Sequence, residues 1–150
     1  AYLNIQQLVY EGIFDYRIDV PGPLSDTRIP KFLLQPIVEN AVVHGVTERR
    51  EGGKILISAF AGDDRDYICV EDNGPGFSKE MLAVQEAGEA PKRGIGTDNV
   101  ERRLKLYFGL RARLQFENLP GGGGRVVIEM PHGGIPQEEA DAYDQDSFGR

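Results

Sequence analysis

Alternating apolar and polar residues predict the first strand of this chain. "IFDYRIDV" alternates Phe14, Tyr16, Ile18 and Val20 with polar neighbours, which is the period-two pattern of a half-buried strand. Further strands are predicted at residues 53–62, 65–73, 111–118 and 124–131. Because the turn signal "GDD" joins the run 53–62 to the run 65–73, we expect these two strands to form an antiparallel hairpin.

Apolar residues at helical spacing predict the helices. The opening "AYLNIQQLVY" has the pattern of the end of an amphipathic helix. A second helix is expected to begin near Leu33 to Gln35 and to end near Gly45. Pro36 should lie in its first turn, because a proline deeper in a helix loses a hydrogen bond and clashes one turn back.

Two more helices are predicted in the second half of the chain. A short helix is expected at "SKEMLAVQEA". A longer one should start near Asp98, because Asp98 and Glu101 have the spacing of a capping box, and should stop at Gly109. Its core-facing stripe is Val100, Leu104, Tyr107 and Phe108.

This order of elements predicts an α+β fold, a two-layer α/β sandwich in which helices cover one face of a mixed sheet. Residues 1–12 are interpreted as the end of a preceding helix and residues 13–131 as the domain. Residues 132–150 are acidic and poor in large apolar side chains, so we expect a disordered tail.

Composition narrows the classes of function. The 150 residues fit one domain, and a net charge of -7 argues against a general nucleic-acid binder. Cys69 is the only cysteine, which excludes a disulfide framework and suggests a core position. No apolar run approaches the roughly 20 residues of a membrane helix. We therefore expect a soluble, cytoplasmic chain without direct membrane contact.

The stretch "VEDNGPGF" ends a predicted strand on polar side chains. Asp72 can accept a hydrogen bond from an exocyclic amine, and Gly74 and Gly76 allow the backbone to approach a flat ligand. A simple turn with an Asx cap explains the same residues, so this motif alone leaves both interpretations open.

The helix "QPIVENAVVHG" carries a second candidate site. Asn40 shares a face with His44 one turn on, and an amide oxygen suits a magnesium ion that keeps most of its waters. Glu39 lies about 100° round the helix from Asn40, so the two need not act together. The alternative is that Asn40 is a surface amide and His44 a polar residue near the helix C-terminus.

The stretch "KRGIGTDN" is a third candidate. Gly94 and Gly96 precede the predicted helix, and Lys92 and Arg93 flank them. Backbone amides at a helix N-terminus form a phosphate site, although the Walker A and Rossmann patterns are absent. Lys92 and Arg93 are equally explained as solvated residues of an exposed loop.

These three segments resemble, in order, the N, G1 and G2 boxes of the GHKL ATPase superfamily. "IPKFLLQPIVENAVVHG", "EDNGPGF" and "GIGTDNVERRLKLYFG" look most like the catalytic domain of LytS-type sensor histidine kinases. The resemblance covers roughly Tyr2 to Pro131. It implies the Bergerat-type ATP-binding fold, with ATP and Mg²⁺ as ligands.

The resemblance also implies roles by position in the first two boxes. Asn40 would coordinate the magnesium that bridges the phosphates, and Asp72 would bind the adenine amino group. Gly74 and Gly76 would shape the pocket beside the base. His44 and Asn73 are further candidates for nucleotide binding.

In the G2 box, the resemblance implies that Gly94 and Gly96 approach the phosphates. Ile95 and Thr97 are candidates for binding beside them. The segment 77–93 would be a mobile ATP lid, from which Lys92 or Arg93 could stabilise the transferred charge.

The chain departs from the superfamily at specific positions. Pro36 stands where the ATP-hydrolysing branches have a water-activating glutamate, so hydrolysis by that route is not expected. Val43 replaces a lysine that is common in LytS-type kinases. Thr97 and Gly124 stand where leucine and threonine are common, which bears on affinity more than on fold.

The leading hypothesis is a domain that binds Mg-ATP and donates the γ-phosphate to a histidine on a dimerisation helix before Ala1. An aspartate of a response regulator would then take the phosphate, and the full-length protein would be a homodimer. Neither His44 nor His132 is a plausible acceptor. The alternatives are an anti-sigma-type serine kinase on the same fold, or a degenerate nucleotide-sensing or protein-binding module.

Overall fold

The computed structural model describes residues 15–24, 33–46, 52–89 and 95–133. The strands are β1 (Asp15–Asp19), β2 (Lys54–Ala61), β3 (Arg65–Asp72), β4 (Arg113–Asn118) and β5 (Gly124–Pro131). The helices are α1 (Gln35–Asn40), α2 (Lys79–Glu86) and α3 (Ile95–Phe108). Shorter helical segments lie at Gly22–Leu24, Ala41–Val46 and Gly109–Arg111. The helix predicted at residues 1–10 and the tail from 134 onwards lie outside the described residues.

The strands form one mixed sheet in the order β1-β2-β3-β5-β4. β1 pairs with β2 in parallel, and every other neighbouring pair is antiparallel. A parallel pair needs a crossover connection, and α1 lies in the connection between β1 and β2. The predicted α+β fold and the hairpin of β2 and β3 are confirmed.

α1 begins where its proline allows. Pro36 lies in the first turn, and Val38 N donates to Leu34 O at 2.9 Å, so the helix forms its first bonds around the missing N–H. After Asn40 the helix widens into the π-helical segment Ala41–Val46. The start was predicted correctly, but the π-helical continuation was not foreseen.

The predicted start of α3 is wrong. The helix begins at Ile95, so Asp98 lies inside its first turns and the capping box of Asp98 and Glu101 does not mark the N-terminus. Gly96 was predicted to precede the helix, but it lies within it. A glycine inside a helix lowers stability by only about 1 kcal/mol relative to alanine, so the helix can continue through it. The end was predicted correctly, because Gly109 adopts a positive φ of 61° directly after Phe108.

The core lies between the sheet and the two helices α1 and α3. The helical layer contributes the buried side chains of Leu33, Ile37, Val38, Val100, Leu104 and Phe108. The sheet contributes those of Ile55, Ile57, Val70, Leu114, Phe116, Ile128 and Met130. The predicted stripe of α3 is confirmed, with Val100 and Leu104 fully buried. In the part of the chain that the structure describes, no helix is long and apolar enough to cross a membrane.

The end of β5 is tied to the start of β3. The Asp66 carboxylate is only 2% exposed, His132 Nδ1 lies 2.8 Å from its Oδ1, and Gly133 N donates to its Oδ2 at 2.9 Å. The first residues after β5 therefore contact the domain, and the boundary at residue 131 stays a prediction.

Candidate functional site

A pocket opens between α1 with its π-helical continuation and the adjacent ends of β3 and β5. Its lining residues are Ile37, Asn40, Ala41, His44, Val70, Asp72, Gly76, Phe77, Phe116 and Val126. Its cavity volume is about 30 Å³, and the pocket is partly open to solvent.

Asp72 stands at the last position of β3 and contributes its carboxylate to this pocket. Gly74 N donates to Asp72 Oδ1 at 2.9 Å, which is the Asx-type turn that the sequence also allowed. The turn and the pocket position occur together, because one carboxylate oxygen can bind the backbone while the side chain still lines the pocket.

Asn73 uses its side chain differently. Its Oδ1 accepts from Lys54 N at 2.8 Å, and its Nδ2 donates to Gly52 O at 2.9 Å. The amide therefore ties the end of β3 to the start of β2. Asn73 is not among the pocket-lining residues, and its predicted role in nucleotide binding stays a prediction.

Glycines allow the turn between β4 and β5 to approach Asp72 closely. Gly123 has a φ of 104°, and a Cβ at this position would overlap Asp72 O. A Cβ at Gly124 would lie 3.3 Å from Asp72 Oδ2 and 3.0 Å from the Phe77 ring. The Phe77 ring thus occupies the space beside Gly124, where threonine is common in the kinases that the chain resembles.

The opposite side of the pocket is helical. Asn40 is the last residue of α1, and His44 is exposed in the segment Ala41–Val46. Both line the pocket, as their shared face predicted. π-helical segments often occur at functional sites, because the wider turn changes which side chains face a ligand.

Glu39 lies on another side of α1, as its angular offset predicted. It accepts a hydrogen bond from Gln35 Nε2 at 3.0 Å and lines a separate groove between α1 and α3, together with Asn99 and Arg103. Glu39 and Asn40 therefore line different spaces.

The structure brings together Asn40, His44, Asp72 and Gly76 from two of the predicted boxes, with Gly74 buried beside them. Ile95, Gly96 and Thr97 form the first turn of α3, and Lys92, Arg93 and Gly94 lie outside the described residues. The binding roles of these residues stay predictions.

Sequence reasoning missed the role of residues far from the three boxes. Asn118 and Gln85 bind the backbone of pocket residues across separations of 41 and 31 positions. Phe116 was predicted only as part of a strand. No local pattern marks such residues, because their partners are set by the tertiary fold.

The outer face of the sheet carries charges that pair with one another. Arg125 binds Glu71 at 2.6 Å and Glu117 at 3.4 Å, and these contacts raise the pKa of Arg125. Burial raises the pKa of the nearby Cys69 thiol, which remains protonated at neutral pH. Cys69 is buried as predicted, but it lies on this outer face and not in the core between the sheet and the helices.

Curated relatives share much of the sequence. The chain is 38% identical over 126 residues to the sensor histidine kinase/phosphatase LytS of Staphylococcus aureus strain Mu50, and equally to that of strain N315. The match covers 81% of this chain but 22% of the relative. This chain thus spans about a fifth of the length of the curated relatives it matches, and the predicted resemblance to LytS-type kinases is confirmed for that part.

Solved structures show the same fold. The catalytic domain of the histidine kinase ThkA, in a nucleotide-free form, aligns with a TM-score of 0.60 at 19% identity, covering 85% of this chain and 83% of that one. The histidine kinase domain of a blue-light-activated kinase from Erythrobacter litoralis aligns with a TM-score of 0.56 at 18% identity, covering 88% and 55%.

The family assignment rests on a match that spans most of the domain. Residues 26–134 match the family described as histidine kinase-, DNA gyrase B-, and HSP90-like ATPase. This range contains all three predicted boxes and the whole pocket. The chain belongs to this family of ATPases.

Proposed function

We propose that this chain is the ATP-binding catalytic domain of a sensor histidine kinase, which transfers the γ-phosphate of ATP to a histidine on a dimerisation helix outside the chain. The observation that carries the proposal is the position of Asp72, a carboxylate at the end of β3 that lines a pocket together with Asn40. The names of the LytS relatives support the same function.

Asp72 would recognise the base. A carboxylate is an acceptor only, so it selects a ligand that offers an N–H donor, as the amino group of adenine does. A purine without that donor would leave a half-buried carboxylate without its partner, which costs far more than the lost contact alone. Asp72 therefore favours ATP over nucleotides that present a carbonyl at the same place.

Asn40 fits a site for magnesium that is completed by the nucleotide. Among the described residues, no group of three or more His, Cys, Asp or Glu side chains could hold a metal ion by itself. Mg²⁺ typically takes only one or two protein oxygens and completes its shell with phosphates and water. Asn40 would hold the ion, which when bound neutralises charge on the phosphates.

The first turn of α3 would hold the phosphates. Gly94 and Gly96 would expose backbone N–H groups at this N-terminus, and Lys92 or Arg93 would add positive charge. Phosphoryl transfer needs mainly positioning and charge stabilisation from the protein, so this set of groups is sufficient for the donor side of the reaction.

The acceptor would come from another segment. His44 lines the pocket and His132 binds Asp66, so each histidine of this chain already has a structural position. The acceptor histidine would lie on a dimerisation helix of a homodimer in the cytoplasm, and a response regulator would receive the phosphate from it.

The test uses the full-length protein with radiolabelled ATP and magnesium. We expect a phosphorylated protein whose label is lost in acid and stable in base, as phosphohistidine is, and much less label in the Asp72→Asn variant at limiting ATP. Acid-stable label would identify the serine kinase instead. ATP binding measured by calorimetry without any label would favour the nucleotide-sensing module.

A further inference from the structure

One side of the pocket is built by two aromatic rings, Phe77 and Phe116, which we call the aromatic wall. Both residues line the pocket, and their ring centroids are 5.4 Å apart with an interplanar angle of 75°. This edge-to-face geometry is a favourable arrangement for aromatic pairs. The wall faces the helical side formed by α1 and its π-helical continuation.

Each residue of the aromatic wall has its backbone held by one amide side chain. Asn118 Oδ1 accepts from Phe77 N at 2.7 Å, and Asn118 Nδ2 donates to Phe77 O at 3.0 Å. Gln85 Oε1 accepts from Phe116 N at 2.8 Å, and Gln85 Nε2 donates to Phe116 O at 2.9 Å. We call these two arrangements the amide clamps.

The amide clamps resemble one rung of a β-ladder, because each satisfies the N–H and the C=O of the same residue. β4 is an edge strand, so the outward backbone groups of Phe116 would otherwise face solvent. Phe77 belongs to the loop that follows β3, where no strand partner exists. In both cases the side chain supplies the restraint that a neighbouring strand supplies elsewhere.

Close packing leaves the ring of Phe77 no room to retreat. A Cβ on Gly124 would lie 3.0 Å and 3.1 Å from two atoms of the Phe77 ring, so the ring already rests against the β5 backbone. Gly76 has a φ of 79°, and a Cβ there would lie 2.6 Å from Asn118 Oδ1. Gly76 therefore makes space for the clamp that holds the next residue.

We propose that Asn118 and Gln85 are positioning residues of the nucleotide site, which hold the aromatic wall as a fixed surface for the base. The inference rests on the proposed function. The amide clamps fix the wall on the side of the pocket opposite to α1 and its π-helical continuation. A wall already in its bound position lowers the entropic cost of binding.

The test measures binding of ATP and of inorganic tripolyphosphate to the wild-type protein and to Asn118→Ala and Gln85→Ala. Each variant should weaken ATP binding about tenfold and leave tripolyphosphate binding unchanged, because only the base touches the wall. Asn118→Asp retains the acceptor for Phe77 N–H and loses the donor. Its ATP affinity, corrected for any change in its tripolyphosphate affinity, should lie between those of the wild type and Asn118→Ala.

His132→Ala is the matched control, since it removes a hydrogen bond to the buried Asp66 away from the pocket. It should lower the melting temperature without changing ATP affinity. Wild-type ATP affinity in both alanine variants would overturn the inference, as would an equal loss of ATP and tripolyphosphate binding.

Hydrogen exchange at the Phe77 and Phe116 amides separates this inference from the proposed function. Both amides should be protected in the wild type, and each should lose protection when its own clamp is removed. If the wild type binds no ATP, the proposed function fails and the clamps lose their nucleotide role. If it binds ATP while the variants keep their protection, this inference alone is overturned.

Discussion

Strand β3 carries an aspartate near each end, and the two residues have different environments. Asp66 and Asp72 are an even number of positions apart, so both point to the same face of the sheet. His132 and Gly133 each contact one carboxylate oxygen of Asp66 at hydrogen-bond distance, and Asp66 is only 2% exposed. Asp72 is half-buried and lines the pocket.

The comparison shows how one strand supports stability at one end and recognition at the other. At Asp66 the chain supplies the donors itself, which is the usual requirement for a buried carboxylate. At Asp72 the neighbouring turn is rich in glycine, and the pocket leaves access to a ligand. Residue type alone does not distinguish the two ends, so the following variants test the difference.

Gly123→Ala should have the largest effect. A Cβ at this position would overlap Asp72 O, so the turn must move away from β3. We expect a loss of more than about 3 kcal/mol in the free energy of unfolding, from strain at positive φ together with the clash. Chemical denaturation monitored by circular dichroism measures the loss.

Gly122→Ala is the control for Gly123→Ala. Gly122 has a φ of 96°, but nothing lies within 4 Å of its added Cβ. It should cost only the conformational strain, roughly 1 kcal/mol. Equal losses in the two variants would show that the close approach to Asp72 is unimportant.

Asp72→Asn should abolish most ATP binding and leave stability unchanged. The asparagine Oδ1 can still accept from Gly74 N, so the turn is retained, while the charged acceptor for the base is lost. We expect roughly a 30-fold weaker affinity by calorimetry, about 2 kcal/mol. An unchanged affinity would contradict the assignment of Asp72 to the base.

Asp66→Asn should lower stability and leave ATP binding unchanged. The amide has one acceptor oxygen for the two donors that the carboxylate now satisfies, so the free energy of unfolding should fall by about 1 to 2 kcal/mol. ATP affinity should stay at the wild-type value. A weaker affinity would mean that the two ends of β3 are coupled.

The smallest effect is expected at Cys69, whose thiol should react slowly with thiol reagents. It lies between the two aspartates on β3, and burial raises its pKa, so little thiolate is present at pH 8. Labelling with a chromogenic disulfide should be much slower in the folded protein than in denaturant. Rapid labelling of the folded protein would indicate that the middle of β3 opens.

Much of the fold could be predicted from the sequence. Strand-like segments bounded by turn residues predicted β2, β3, β4 and β5 nearly to the residue, and Pro36 correctly predicted the start of α1. The start of α3 was predicted wrongly, because Gly96 and the Asp98 capping pattern are local signals and the helix continued through them. The widening of α1 after Asn40 left no sequence signal.

The candidate site was predicted in part. Asn40, His44, Asp72 and Gly76 were chosen from their motifs, and the structure places all of them in the lining of one pocket. Asn73 binds the start of β2 instead of lining the pocket. That choice between two hydrogen-bonding environments depends on where β2 lies, which the motif does not contain.

The sequence by itself determined the strands and α-helices of the described domain and the family, because hydrophobic periodicity and short motifs can be read from neighbouring residues. Only the tertiary structure decided which polar side chains face the pocket and which are used by the backbone. Asp66 and Asp72 occupy equivalent positions in the pattern of β3, yet one meets the chain leaving β5 and the other meets a glycine turn. Such partners are distant in sequence, so their contacts arise only from the packed arrangement of strands.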